Sequence, residues 1–245
     1  MRRFGLIGRP LAHSASAAYF ADKFRREGLT DCAYALYELP TIGDLPRLLE
    51  QVTELCGLNV TIPYKRAVIP FLNALSAEAT AVGAVNCIRR MPDGGLEGHN
   101  TDVIGLRAAL DRLLGAEQPE HALILGTGGA SQAVQYVLAE RDIPFDLLSR
   151  DPVKGNYTYD DLPCEAVAES HLIVNASPVG TYPNTDEAPR LAYGYLTPSH
   201  YLLDLVYNPP LTQFLDYGRQ RGAHTLNGET MFLAQAEASW RIWNE

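Results

Sequence analysis

The chain has 245 residues, 47% apolar and 20% charged, which is enough for one large or two modest globular cores. Its net charge of −9 argues against nucleic acid and against a membrane surface, since both select clustered Lys and Arg, and so favours a small-molecule partner. Dispersed cysteines (Cys32, Cys56, Cys87, Cys164), histidines without metal-ligand spacing, and no apolar run near ~18 residues point to a reduced, cytoplasmic protein without a metal; a monomer and a homodimer both fit the sequence.

Strand-like runs at 3–8, 34–39, 57–62 and 84–89 alternate with amphipathic stretches, which is the α/β pattern. Ala17, Phe20, Ala21 and Phe24 predict a helix over 16–27, with Ser14 or Ser16 as N-cap and Gly28 as terminator. In 57–62, Asn59 and Thr61 share one face while Val60 and Ile62 turn toward a core, and the run stops at Pro63 just before Lys65. After Asp102 come a helix to about 115, a strand at 121–125, a glycine turn, a helix through 141 and a strand at 143–149: a βαβ unit. Residues 151–161 read as loop, as does 178–194, with strands at 172–176 and 201–206. A last helix over 229–243 carries Phe232, Ala236, Ser239 and Trp243 on one stripe. The pattern predicts two α/β lobes divided near Asp102, with the last helix returning to the first.

Each candidate motif has a plain structural reading beside the functional one. Gly126-Thr127-Gly128-Gly129-Ala130-Ser131 sits where a pyrophosphate meets helix N-terminal amides, yet it departs from G-x-G-x-x-G at Ser131 and also reads as a tight turn. Ser149-Arg150 ends the next strand, where a guanidinium suits a 2′-phosphate and points to NADP, but a surface arginine is equally ordinary there. Asp151 next to it is a like charge for such a phosphate. Ser14 and Ser16 with helix amides form a carboxylate cradle or a simple cap, and Asp102 serves as an N-cap or a site residue. Lys65, Tyr207 and Gln235 gain meaning only jointly.

Taken together, Gly8 to Ser16, Asn59 to Lys65, Gly83 to Asn86, Asn100 to Asp102, Gly126 to Ser131, Asn175 to Ser177, Asp204 to Tyr207 and Ala234-Gln235 make the sequence resemble the shikimate dehydrogenase family over essentially its whole length. The resemblance implies a substrate-binding domain at 1–102 with 228–245 packing back onto it, and a Rossmann-like NADP-binding domain at 103–227. It implies reversible NADPH-dependent reduction of 3-dehydroshikimate to shikimate in aromatic amino-acid (chorismate) biosynthesis. By the same resemblance Lys65 and Asp102 are catalytic. Ser14 and Ser16 hold the substrate carboxylate, and Asn59, Thr61, Asn86, Asp102, Tyr207 and Gln235 contact its polar groups. Gly126, Thr127, Gly128, Gly129 and Ala130 take the pyrophosphate, Ser149 and Arg150 the 2′-phosphate, and Leu205 and Gly228 lie near the nicotinamide.

Where the family commonly has Asn-Arg-Thr this chain has Ser149-Arg150-Asp151, with Lys154 as a further cation. Where it has Gly-Leu-Gly-Met the chain has Gly228-Glu229-Thr230-Met231, and the helix after Arg150 is shortened or absent. Asp151 keeps open an NAD-using quinate/shikimate dehydrogenase. A non-catalytic NADP-binding regulator would need neither Lys65 nor Asp102. Ketone reduction needs a hydride donor and a proton or positive charge at the oxygen, and Lys65 serves as acid or as electrostatic stabiliser.

Overall fold

The structure is a computed structural model that describes residues 1–12 and 14–245; His13, within the Gly8 to Ser16 motif, lies outside the described residues. They divide into two compact units, Met1–Thr101 with Ala236–Glu245, and Asp102–Gln235.

The first unit contains β1 (Arg2–Gly8), α1 (Ser16–Arg26), β2 (Cys32–Glu38), α2 (Leu45–Gln51), β3 (Leu55–Val60), β4 (Ala74–Leu75), α3 (Ala77–Val82), β5 (Cys87–Arg90) and β6 (Leu96–His99). The second contains α4 (Asp102–Leu114), β7 (Ala122–Leu125), α5 (Gly129–Glu140), β8 (Phe145–Ser149), β9 (Tyr157–Thr158), α6 (Cys164–Glu169), β10 (Leu172–Asn175), β11 (Tyr201–Asp204), α7 (Gln213–Gln220) and β12 (His224–Leu226). The last helix, α8 (Glu229–Ile242), starts in the second unit and ends in the first. The returning segment therefore begins at Ala236, later than the 228 expected. The start of α8 packs within the second unit, where a Cβ on Gly105 would lie 2.5 Å from the Met231 carbonyl oxygen, so only glycine allows that approach.

In the first sheet the order is β2-β1-β3-β5-β6-β4, with β1 parallel to β2 and β3, and β5 antiparallel to β3 and β6. The alternation read over 57–62 holds as far as Val60, but neither face of the strand is open to water. As an interior strand β3 is covered on both faces, so Gly57, Leu58, Asn59 and Val60 are all buried. On one side Trp243 presses against Gly57, where a Cβ would sit 2.2 Å from the indole Cδ1; on the other Leu58 and Val60 join the core with Leu45, Leu48 and Ile88. Ile62, expected in the core, is 66% exposed, because the strand ends at Val60 and the following turn carries it outward.

In the second sheet the order is β12-β11-β10-β7-β8-β9, and every pair is parallel. Counted from β7 this is the doubly wound dinucleotide-binding order, with its reversal point between β7 and β10. Both central strands are wholly buried, as their unbroken apolar runs require. Between β8 and β9, residues 150–156 hold no helix, in keeping with the sequence. A parallel return usually needs about a dozen residues. Here Gly155 permits a short one, since its Cβ would lie 2.8 Å from the Leu147 carbonyl oxygen and 2.9 Å from Ser149 Cβ. Asn156 locks it, its N–H donating to Leu147 O and its Oδ1 accepting from Leu147 N–H, both at 2.9 Å. Among the described residues no helix is long and apolar enough to cross a membrane, and no group of His, Cys, Asp and Glu is placed to hold a metal.

Candidate active site

In the first unit, the sequence-named residues gather where β1 and β3 end and β5 begins. Tyr64 is buried and its hydroxyl donates to Leu39 O at 2.6 Å, which fixes the turn that presents Lys65. α3 ends at Gly83 in the left-handed region (φ 67°), and the reversed chain donates Val85 N–H to Lys65 O at 2.7 Å. Asn86 follows directly, so the backbone of Lys65 and the carboxamide of Asn86 are held on one framework. Thr101 grips that carboxamide: its N–H donates to Asn86 Oδ1 at 2.6 Å, and its hydroxyl accepts from Asn86 Nδ2 at 3.0 Å. Ser14 and Ser16 lie together at the start of α1, where Ser16 N–H donates to Ser14 Oγ at 3.3 Å. The N-cap position is Ala15, with no side-chain cap among the described residues, so neither serine caps the helix in the ordinary way. Thr61 is half-buried, its methyl occupying the space left by Gly8, where a Cβ would lie 2.3 Å away. Asn59 is only 6% exposed and stands behind these groups.

In the second unit, the glycine loop lies at the reversal point of the sheet. Gly126 adopts φ 110°, donates its N–H to Leu148 O at 2.8 Å, and has the Ala176 carbonyl 3.3 Å from where a Cβ would stand. Gly128 caps α5 from an extended conformation, among the described residues no side chain caps it, and the space beside its α-carbon is open. Amides left pointing out of a helix start, beside a glycine that admits close approach, fit a pyrophosphate. Ser131, in the third glycine's place, is fully buried and accepts from Gln135 Nε2 at 3.1 Å, so its side chain is turned inward, away from the loop. Thr127 Oγ1 and Ser149 Oγ lie 3.5 Å apart, which joins the loop to the end of β8. Arg150 is exposed there. Asp151 is paired with Lys154 at 3.0 Å and accepts from Val153 N–H at 3.1 Å; Lys154 chiefly, then that N–H, hold its carboxyl below the usual carboxylate range.

Asp102 opens α4 and is 6% exposed; Tyr207 stacks on Phe232 with ring centroids 4.9 Å apart, and Gln235 follows on the same helix. All three belong to the second unit, whereas Ser14, Ser16, Asn59, Thr61, Lys65 and Asn86 belong to the first. Leu205 and Gly228 are brought backbone to backbone, since a Cβ on Gly228 would lie 2.2 Å from Leu205 O.

Sequence reasoning assigned no role to Asn175, Asp204, Thr101, Ser239 or Tyr34. Asn175 Nδ2 donates to Asp204 Oδ1 at 2.9 Å, and Thr212 O–H donates to Asp204 Oδ2 at 2.6 Å, shaping the loops after β10 and β11. Burial outweighs these bonds and pushes the Asp204 carboxyl up to about 6. The available signal was polarity in apolar surroundings: Asn175 and Asp204 end buried strands, and Ser239 lies on the apolar stripe of α8.

Residues 6–88 match the family model described as the shikimate dehydrogenase substrate binding domain. The shikimate dehydrogenase (NADP(+)) of Syntrophomonas wolfei is 36% identical, over 97% of this chain and 88% of that one, and that of Pelodictyon phaeoclathratiforme is 35% identical over 98% and 90%. Shikimate 5-dehydrogenase from Thermus thermophilus, solved in complex with NADP(H) and shikimate, superposes with a TM-score of 0.86 at 32% identity, over 99% of this chain and 93% of that one. Quinate dehydrogenase from Corynebacterium glutamicum in complex with NAD gives 0.88 at 27% identity, over 99% and 93%. With the doubly wound sheet and the motifs in both units in place, this full-length similarity establishes that the chain belongs to the shikimate dehydrogenase family.

Proposed function

We propose that the protein is a shikimate dehydrogenase that reduces 3-dehydroshikimate to shikimate reversibly with NADPH. The observation that carries this reading is the framework holding Lys65 and Asn86 in one unit, together with a glycine loop at the reversal point of a doubly wound sheet in the other. The first unit is the substrate domain, with Ser14, Ser16 and Thr61 receiving the carboxylate and Asn86 a ring hydroxyl. The second is the NADP domain, Gly126 to Ala130 facing the pyrophosphate, Ser149 and Arg150 the 2′-phosphate, and Leu205 and Gly228 the nicotinamide end. Tyr207 and Gln235 contribute substrate contacts.

NADPH, when bound, supplies the hydride. Lys65 places an ammonium at the carbonyl oxygen and delivers a proton to it in reduction; in oxidation the amine takes the proton back. By the family resemblance Asp102 is the second catalytic residue and accepts from the neighbouring hydroxyl of the substrate. Following absorbance of NADPH during shikimate oxidation, with NAD as control, tests the assignment directly. Lys65→Met should lower kcat by far more than tenfold with little change in the KM for shikimate; a loss within about tenfold, ~1.4 kcal/mol, would remove Lys65 from the chemistry.

A second reading, an NAD-using quinate/shikimate dehydrogenase, draws on the Asp151–Lys154 pair, which diverts a cation from the 2′-phosphate position. Ratios of kcat/KM for NADP over NAD, and for shikimate over quinate, separate the two.

A further inference from the structure

In the second unit β10 and β11 end side by side with Asn175 opposite Asp204, and Asn175 pairs on its other edge with Leu125, the residue before the glycine loop. Both side chains are 0% exposed. Asn175 Oδ1 accepts from Ser177 N–H at 3.1 Å and from Ser177 O–H at 2.6 Å. Its Nδ2 donates to Asp204 Oδ1 at 2.9 Å and to Val179 O at 3.3 Å. A backbone N–H can only donate and a backbone carbonyl can only accept, so the orientation of this carboxamide is forced. Asp204 Oδ1 also accepts from Val206 N–H at 3.0 Å, and its Oδ2 accepts from Thr212 O–H at 2.6 Å.

These bonds lead in two directions. The turn that Asn175 closes on Ser177 carries Ala176, whose N–H donates to Leu125 O at 3.0 Å and whose carbonyl oxygen lies against Gly126 of the pyrophosphate loop. The turn that Asp204 closes on Val206 carries Leu205, whose N–H donates to Asn175 O at 3.0 Å and whose carbonyl oxygen lies against Gly228. Gly228 N–H in turn donates to Val206 O at 3.0 Å. One buried contact between an amide and a carboxylate therefore joins the loop assigned to the pyrophosphate to the pair assigned to the nicotinamide end. We propose that Asn175 and Asp204 are positioning residues that hold the nicotinamide end of the coenzyme site in register with the pyrophosphate loop, neither of them touching the coenzyme. The proposal rests on the NADP reading of this unit. A satisfied buried pair suits that task because its bonds have no solvent substitute, and a displacement of about 1 Å at a reacting group costs about a hundredfold in rate.

Calorimetric titration of the full chain with NADP, and with adenosine 2′,5′-bisphosphate, which lacks the nicotinamide half, tests this beside steady-state shikimate oxidation. Asn175→Ala should raise the Kd for NADP about 5- to 20-fold, the size of one or two lost hydrogen bonds, and leave that for adenosine 2′,5′-bisphosphate within about twofold. Its kcat should fall about 10- to 100-fold with the KM for shikimate unchanged. Asp204→Ala should do the same, and Asp204→Asn should recover most of the loss, since its oxygen still accepts from Asn175 and Val206 while its Nδ2 donates to Thr212 Oγ1. Thr212→Val cuts the bond that leads away to α7, whose N-cap is Thr212, so it should lower the urea midpoint and leave both Kd values unchanged. Should Asn175→Ala not fold, Ser177→Ala, which removes one donor to Asn175 Oδ1, should give the same pattern at smaller size. An unchanged Kd for NADP, equal weakening of both ligands, or a Thr212→Val chain that weakens NADP as much as Asn175→Ala would overturn the proposal. A parent that binds neither ligand would instead overturn the NADP reading itself.

Discussion

At the residue scale, Asp204 shows how a carboxylate can shape a loop at a cost that depends on pH. Its pKa is raised from 3.8 to about 6 by burial, against the bonds from Thr212, Val206 and Asn175. A raised carboxyl pKa adds stability that is complete below about pH 4 and is lost as pH climbs through 6. His200 works the other way. Burial lowers its pKa, and its Nδ1 accepts from Thr197 N–H while Nε2–H donates to Val167 O, so its stabilisation is lost as pH falls below 6.5. Asp204→Asn should therefore remove a decline of about 2–3 kcal/mol between pH 4 and 7, read as the difference between parent and variant in urea unfolding, where the His200 contribution cancels. A difference independent of pH would mean Asp204 is already ionised at pH 4. Asp151 makes a different prediction: Asp151→Asn keeps the acceptor for Val153 N–H but releases Lys154, so the KM for NADP should fall a few-fold with that for NAD unchanged. Equal shifts for both dinucleotides would place Lys154 away from the 2′-phosphate.

Among the elements, the long periodic ones were legible in the sequence and the short ones were not. α1, α4, α5 and α8 appear within a few residues of their expected ends because each shows an apolar period over several turns. β6, α6, α7 and β12 escaped notice because three to eight residues carry too little periodicity to separate from loop. The burial of Asn59 on β3 escaped the sequence for a tertiary reason, cover on both edges and both faces, which no local window contains. The site divides similarly. Gly126 and Lys65 stand in motifs, whereas Tyr34 reaches Asn59 only through folding that joins positions 25 residues apart. The return between β8 and β9 gives the element-scale prediction. Gly155→Ala should push β9 off the sheet and raise the KM for NADP while leaving that for shikimate unchanged; binding of both ligands by calorimetry checks it, and loss of shikimate affinity would mean the damage spreads beyond the second unit.

For the whole molecule, two compact units with separate cores predict separable ligand responses. NADP at about 100 times its Kd should stabilise the fold by about 2.7 kcal/mol, and amide exchange should slow at 126–131, 149–156 and 175–177 more than in α2 or β2. Exchange slowing first in α2 and β2 would reverse the assignment of the two units. The return after β8 also bears on coenzyme choice. Its shape depends on Gly155 and Asn156, which touch the backbone of Leu147, while its positive charge sits on exposed Arg150 and Lys154. With the coenzyme roles proposed for Arg150 and Lys154, scaffold and coenzyme preference fall on different residues, and surface substitutions alone should exchange one dinucleotide for another while the return stays folded.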